Sequence, residues 1–180
     1  MMNTSQLETR AVATALSVAT GRKLVGYAAR FGEKARIGSF DETIRKGAFA
    51  DSLRSNPDIL CLVDHDSARC IARTRSGTLH LEEDEQGLKF EISVPDTQEG
   101  RDLLVMAERG DLGGMSFGFR VPKDGERWQG STRELLKVNL QEVSVVHSWP
   151  AYSGTSVEAR HKTPRLDRAK MFLESVKWAF

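Results

Sequence analysis

Residues 113–121 read Gly-Gly-Met-Ser-Phe-Gly-Phe-Arg-Val, and the alternation along them decides what kind of core this chain builds. Successive side chains of a strand point to opposite faces, so Met115, Phe117, Phe119 and Val121 share one face and Ser116, Gly118 and Arg120 the other. That pattern predicts a strand with one face in a core and turns the Ser116 hydroxyl away from it. At Gly118 the missing side chain leaves room for a substrate backbone to approach, which suits a nucleophile acting on an extended peptide. The simpler reading of the same residues is a solvent-face serine followed by a strand glycine.

The strand period recurs on both sides of this stretch. Upstream, 23–31, 58–63, 69–74, 79–83 and 88–94 read as short strands, with turn signals at Ser67, Ser76-Gly77 and 85–87. Downstream, 134–138 and 140–147 are further strand candidates, and 156–159 would add a short one. Two helices interrupt them. Residues 41–55 read as a loop and then a short helix over 47–54, stopped by Pro57. Residues 96–109 carry Asp96 or Thr97 as cap, Leu103, Leu104, Met106 and Ala107 on one side, and Gly110 as the stop. About seven strands and two helices in one core predict an α+β, mostly antiparallel fold, a small β-barrel flanked by helices.

The chain has 180 residues, 39% hydrophobic and 28% charged, with a net charge of +1, which suits one compact domain. Its organisation is read as a flexible N-terminal segment over 1–22, a folded domain over 23–159 and a basic tail over 160–180. No apolar run is long enough to span a bilayer, so no membrane partner is expected. The near-neutral charge gives no push toward a specific nucleic acid, although the tail holds six Lys and Arg against two Asp and Glu. Cys61 and Cys70 sit in apolar contexts without metal-ligand spacing, so neither a metal nor another cofactor is expected.

Two further residues could work with Ser116. His65 lies where the apolar run 59–63 gives way to Asp64 and Asp66, read as a strand end, and an imidazole there can accept and return a proton near neutral pH. Glu142 belongs to 140–147, where alternation puts Val143, Val145 and His147 on one face and Glu142 and Ser144 on the other; a carboxylate can fix the tautomer of an imidazole and stabilise the imidazolium. Taken singly, each is more simply an exposed or structural residue. Other chemistries are weaker. Gly110–Gly114 lacks the lysine of a phosphate loop, Cys61 with His65 would place a thiolate in an apolar run, and the acidic residues 82–85, even with Asp64 and Asp66, read as a solvated turn.

Together with their flanks these residues resemble the prohead serine proteases of tailed bacteriophages, a family similar in fold to the herpesvirus assemblins. The resemblance runs from about residue 26 to 157. It is carried by Gly26-Tyr-Ala-Ala-Arg-Phe31, Gly47-Ala-Phe49, the segment ending in His65, the stretch 113–119, and Glu142-Val-Ser-Val-Val followed by Pro150-Ala151. It implies an assemblin-like barrel with a shallow site on its outer surface, and a serine endopeptidase with Ser116 as nucleophile, His65 as general base and Glu142 orienting the base.

It further implies action on the scaffolding part of the phage major capsid protein, and on the enzyme itself, inside the prohead in the host cytoplasm, with self-association as a dimer. Assemblins use an arginine-containing loop for the oxyanion; residues 149–155 hold no arginine, so a backbone N–H between Ala151 and Gly154, with Gly118 nearby, is expected in that role. Two rivals remain: a non-enzymatic capsid scaffold or assembly module with the same fold, and a hydrolase of small esters. The second would need a nucleophile elbow, whereas Gly-Met-Ser-Phe-Gly here lies on a strand with no helix after it.

Overall fold

In the computed structural model, residues 6–13 and 16–148 are described. Thirteen strands and two α-helices follow one another among them: β1 Glu8–Val12, β2 Ser17–Ala19, β3 Lys23–Arg30, β4 Ala35–Ile37, β5 Phe40–Ile44, α1 Ala50–Ser55, β6 Leu60–Val63, β7 Asp66–Arg73, β8 Leu79–Glu83, β9 Gly87–Ser93, α2 Gln98–Arg109, β10 Gly114–Arg120, β11 Glu126–Gln129, β12 Thr132–Leu135 and β13 Asn139–Val146. They form three sheets, of order β1-β10-β13-β6-β7, β11-β12-β5-β4 and β2-β3-β9-β8. Most pairings are antiparallel; β13 with β6 and β12 with β5 are parallel.

The core follows from the period-two pattern. Met115, Phe117 and Phe119 of β10 are fully buried together with Val143 and Val145 of β13, Cys61 and Val63 of β6, and Leu88, Phe90 and Ile92 of β9. Burying each large apolar side chain contributes on the order of 1.5–3 kcal/mol. Phe117 stacks on Phe119 and meets Phe49 edge-on, which joins the start of α1 to the central sheet. Helix α2 is capped by Thr97, whose hydroxyl accepts the Gly100 N–H at 3.1 Å, and ends at Gly110, whose left-handed φ of 73° a side chain would resist.

The mostly β, antiparallel-rich character agrees with the sequence expectation, but the strand count and the closure do not. Thirteen strands replace about seven, and no sheet closes into a barrel among the described residues. The strands missed are short, three to five residues each. Residues 41–46, expected as loop, hold most of β5, which pairs with β12; β1 and β2 lie ahead of what was read as the first strand. No helix among the described residues is long and apolar enough to cross a membrane.

Candidate active site

His65 is held by a two-residue turn, not by a strand end. β6 stops at Val63, Asp66 pairs back with Val63, and Asp64 and His65 bridge them with φ of 50° and 61°. A two-residue hairpin of the type I′ kind needs left-handed backbone at both central positions, which Asn and Gly supply with least strain. Each non-glycine residue there costs on the order of 1–3 kcal/mol. Asp64 offsets part of that. Its N–H donates to the Val145 carbonyl at 2.9 Å, its carboxylate accepts the His147 N–H at 2.9 Å, and Oδ2 lies 2.7 Å from His147 Nδ1 and 3.2 Å from Arg69. Burial works against the charged form of Asp64, yet the His147 N–H and ring together with Arg69 hold its carboxyl below the ordinary range.

With Asp64 tied to the end of β13, the neighbouring His65 ring meets Glu142: Nδ1 lies 2.7 Å from Oε1. Glu142 stands on β13 opposite Gly118 of β10, and only 6% of it is exposed. A bulge makes this possible. Gly118 faces Glu142 but Phe119 faces Leu140, so Gln141 is the extra residue. Without it Leu140 and Glu142 would share a face; with it Leu140 packs in the core while Glu142 turns to His65. A carboxylate on Nδ1 keeps the proton there and leaves the lone pair on Nε2, which makes no hydrogen bond among the described residues. The Ser144 hydroxyl donates to the other carboxylate oxygen, Oε2, at 2.5 Å.

Ser116 lies directly opposite Ser144, on the strand beside Glu142. It is not on an open surface, as the shallow-site expectation had it, but 1% exposed. Its hydroxyl donates to the main-chain carbonyl of Arg10 in β1 at 2.9 Å, because β1 pairs along the outer edge of β10 with Ala11 opposite Ser116. β10 is therefore paired on both sides, with β1 and with β13. The structure brings His65 and Glu142 into contact and places Ser116 on the adjoining strand, with no hydrogen bond between Ser116 and His65 among the described residues.

Gly118 does not stand open to a substrate either. A Cβ at that position would lie 2.3 Å from Glu142 Oε1, so the space it leaves is taken by the carboxylate. Ala151 and Gly154 of the expected oxyanion loop, the strand expected over 156–159 and the tail 160–180 lie outside the described residues. His147 pairs with Asp64, and His80 is exposed on β8, so neither competes with His65 for Glu142. Cys61 is fully buried, and burial, with smaller contributions from Cys70 and Glu142, pushes its thiol well above the ordinary value. Thiol chemistry at this site is thereby disfavoured.

Sequence reasoning did not single out Ser144 or Arg10. Ser144 carries a readable signal, since it sits two residues from Glu142 on the same strand face. Arg10 carries none, because its main chain, not its side chain, meets Ser116.

A protein-family model described as caudovirus prohead serine protease matches residues 5–169 of the chain. No curated protein and no solved structure matches it.

Proposed function

The chain belongs to the caudovirus prohead serine proteases, and from that membership we propose that it is a serine endopeptidase using Ser116, His65 and Glu142 to cut the scaffolding part of the major capsid protein, and itself, inside the prohead. The observation that supports the roles best is the 2.7 Å contact between His65 Nδ1 and the buried Glu142 carboxylate, on the strand adjoining that of Ser116. In this reading Nε2 takes the Ser116 proton as Oγ attacks a peptide carbonyl carbon, and Glu142 stabilises the imidazolium that forms. The tetrahedral intermediate collapses as Nε2 returns the proton to the leaving amine. Water, deprotonated by the same nitrogen, then hydrolyses the acyl-enzyme and restores the serine. A backbone N–H between Ala151 and Gly154 carries the oxyanion.

For an extended substrate to pair with the outer edge of β10, β1 has to give that edge up, since both sides of β10 are occupied. Within the segment read as flexible over 1–22, β1 becomes, in this proposal, a displaceable strand over the nucleophile. The sheets holding β10 and β9 touch where β3 meets β10 and where β7 meets β8, and this packing of sheet on sheet, with no closed ladder, is proposed as the counterpart of the assemblin-like barrel. Dimerisation and a capsid-directed tail over 160–180 complete the reading.

One observation favours the alternative, a non-enzymatic assembly module: Ser116 is covered and its hydroxyl is engaged by Arg10. Co-expression of the chain, wild type or Ser116→Ala, with its capsid protein separates the two. Shortening of the capsid subunit by the wild type alone, read by mass, supports the protease. Equal processing by both variants removes Ser116 from the mechanism, and no processing by either under assembling conditions favours the module.

A further inference from the structure

Glu142 has to present one oxygen to His65 from the interior of a sheet, where a carboxylate left short of donors is costly and tends to move toward water. Two neighbours constrain it. Ser144, on the same face of β13 and 0% exposed, donates its hydroxyl to Oε2 at 2.5 Å. Gly118, opposite Glu142 on β10, leaves the volume that the carboxylate fills: a Cβ there would meet Oε1 at 2.3 Å, Cδ at 3.0 Å and Cγ at 3.1 Å. Among the described residues the carboxylate makes two hydrogen bonds, one oxygen to Ser144 and the other to His65.

We infer that Ser144 and Gly118 are positioning residues that aim the Glu142 carboxylate at His65, Ser144 by anchoring Oε2 and Gly118 by yielding the space in which Oε1 sits. This rests on the reading in which Glu142 orients the base. Neither acts on substrate through a side chain: Gly118 has none, and the Ser144 hydroxyl is engaged by Glu142. Gly118 thus has a different purpose from the one its sequence context suggests, and Ser144, placed opposite Ser116, serves the carboxylate and not the nucleophile. With Ser144 shortened to alanine, Oε2 loses its buried donor and the carboxylate is free to rotate away from Nδ1. With a methyl at Gly118, the carboxylate is pushed out of its place by direct overlap.

The test uses the full chain and a fluorophosphonate probe, which reacts with an activated serine without needing the natural cleavage site. Maximal labelling rate and half-saturating probe concentration are measured separately, alongside the low-field proton resonance of the His65 Nδ1–H and the thermal midpoint. The expected result is that Ser144→Ala and Gly118→Ala each lower the maximal rate about 10-fold to 100-fold with little change in half-saturation, and weaken the low-field resonance. Ser144→Thr, which keeps the hydroxyl, should restore most of the rate. Two double variants decide it: in a Glu142→Ala background, both Ser144→Ala and Gly118→Ala should have almost no further effect, because the group they place is gone. If Ser116→Ala abolishes labelling while Ser144→Ala and Gly118→Ala label at the wild-type rate, or if their losses persist undiminished in Glu142→Ala, the positioning role is overturned and the triad stands. If Ser116→Ala labels like wild type, the triad falls and the positioning role falls with it.

Discussion

The Ser116 hydroxyl donates to the Arg10 main-chain carbonyl at 2.9 Å, across 106 residues of chain. The residue proposed as nucleophile is thus engaged by the strand that covers it, while the His65 and Glu142 pair beside it is already formed. In the proposed mechanism this is a base already paired with its carboxylate and a serine that β1 still covers.

If β1 is that cover, weakening it should speed the reaction of Ser116. Its side chains are held by Arg10 on Glu42 at 2.6 Å and Glu8 on Arg133 at 2.6 Å. Deleting residues 1–12, or combining Glu8→Gln with Arg10→Ala in the full chain, should raise the fluorophosphonate labelling rate at least several-fold. An unchanged or slower rate in folded protein would show that β1 belongs to the active form.

Glu142→Gln keeps the shape of the side chain but permits the wrong imidazole tautomer. By analogy with serine proteases, a fall of about 10⁴-fold in kcat is expected for loss of the orienting carboxylate. Ser116→Ala and Glu142→Gln together should be no worse than Ser116→Ala alone, since the groups act as a unit. Peptide-hydrolysis kinetics on the two single variants and the double would show it; additive losses would break the unit.

The Arg133 side chain is 8% exposed and meets Glu8, Glu42 and Glu126 at 2.6–3.0 Å, a cation shared by three carboxylates. Replacing it with Met leaves Glu42, 3% exposed, with Arg10 as its remaining ion-pair partner among the described residues. A loss of about 3–5 kcal/mol in urea unfolding is expected for breaking a buried ion network from one side. A loss below about 1 kcal/mol would mean that water satisfies the cluster as well as Arg133 does.

Acid should act partly through Glu8. Burial raises its carboxyl pKa, but the hydrogen bond and charge of Arg133 and the charge of Arg10 outweigh that and hold it below its ordinary value of 4.5. A depressed folded-state value stabilises fully above the unfolded one and is lost as pH falls through the folded one. Wild type should therefore lose stability below about pH 4.5 more steeply than Glu8→Gln. Parallel urea midpoints against pH for the two proteins would contradict the linkage.

The cysteines should be bystanders. Cys70 is exposed and Cys61 fully buried, with its thiol pushed up by burial. Iodoacetamide on the native protein should modify Cys70 and spare Cys61, and leave Ser116 labelling intact. Loss of labelling in proportion to modification of Cys61 would reopen the thiol reading.

Strand period alone was enough for the central elements. Met115, Phe117 and Phe119 are core residues as their alternation requires, β8 spans the residues read for it, and α2 runs from its Thr97 cap to Gly110. β5 was not legible. Its Asp41, Glu42 and Thr43 look like loop chemistry, and the segment is a strand because β12 pairs with it and Glu42 meets Arg10 and Arg133, partners dozens of residues away. The Gln141 bulge was equally silent, since one extra residue in a ladder shows only against its partner strand.

Read by itself, the sequence determined the residue types of the candidate site and the family, because those rest on local order: an imidazole after an apolar run, a serine in Gly-Met-Ser-Phe-Gly, and a glutamate two residues before a serine. Only the tertiary structure decided how they meet. It put His65 in a strained turn, gave Gly118 to Glu142, and laid β1 over Ser116. The reason is that strand pairing is made by main-chain groups common to every residue, so which segment fills an edge is settled by what else the folded chain can pair and bury there, not by any pattern in the edge itself.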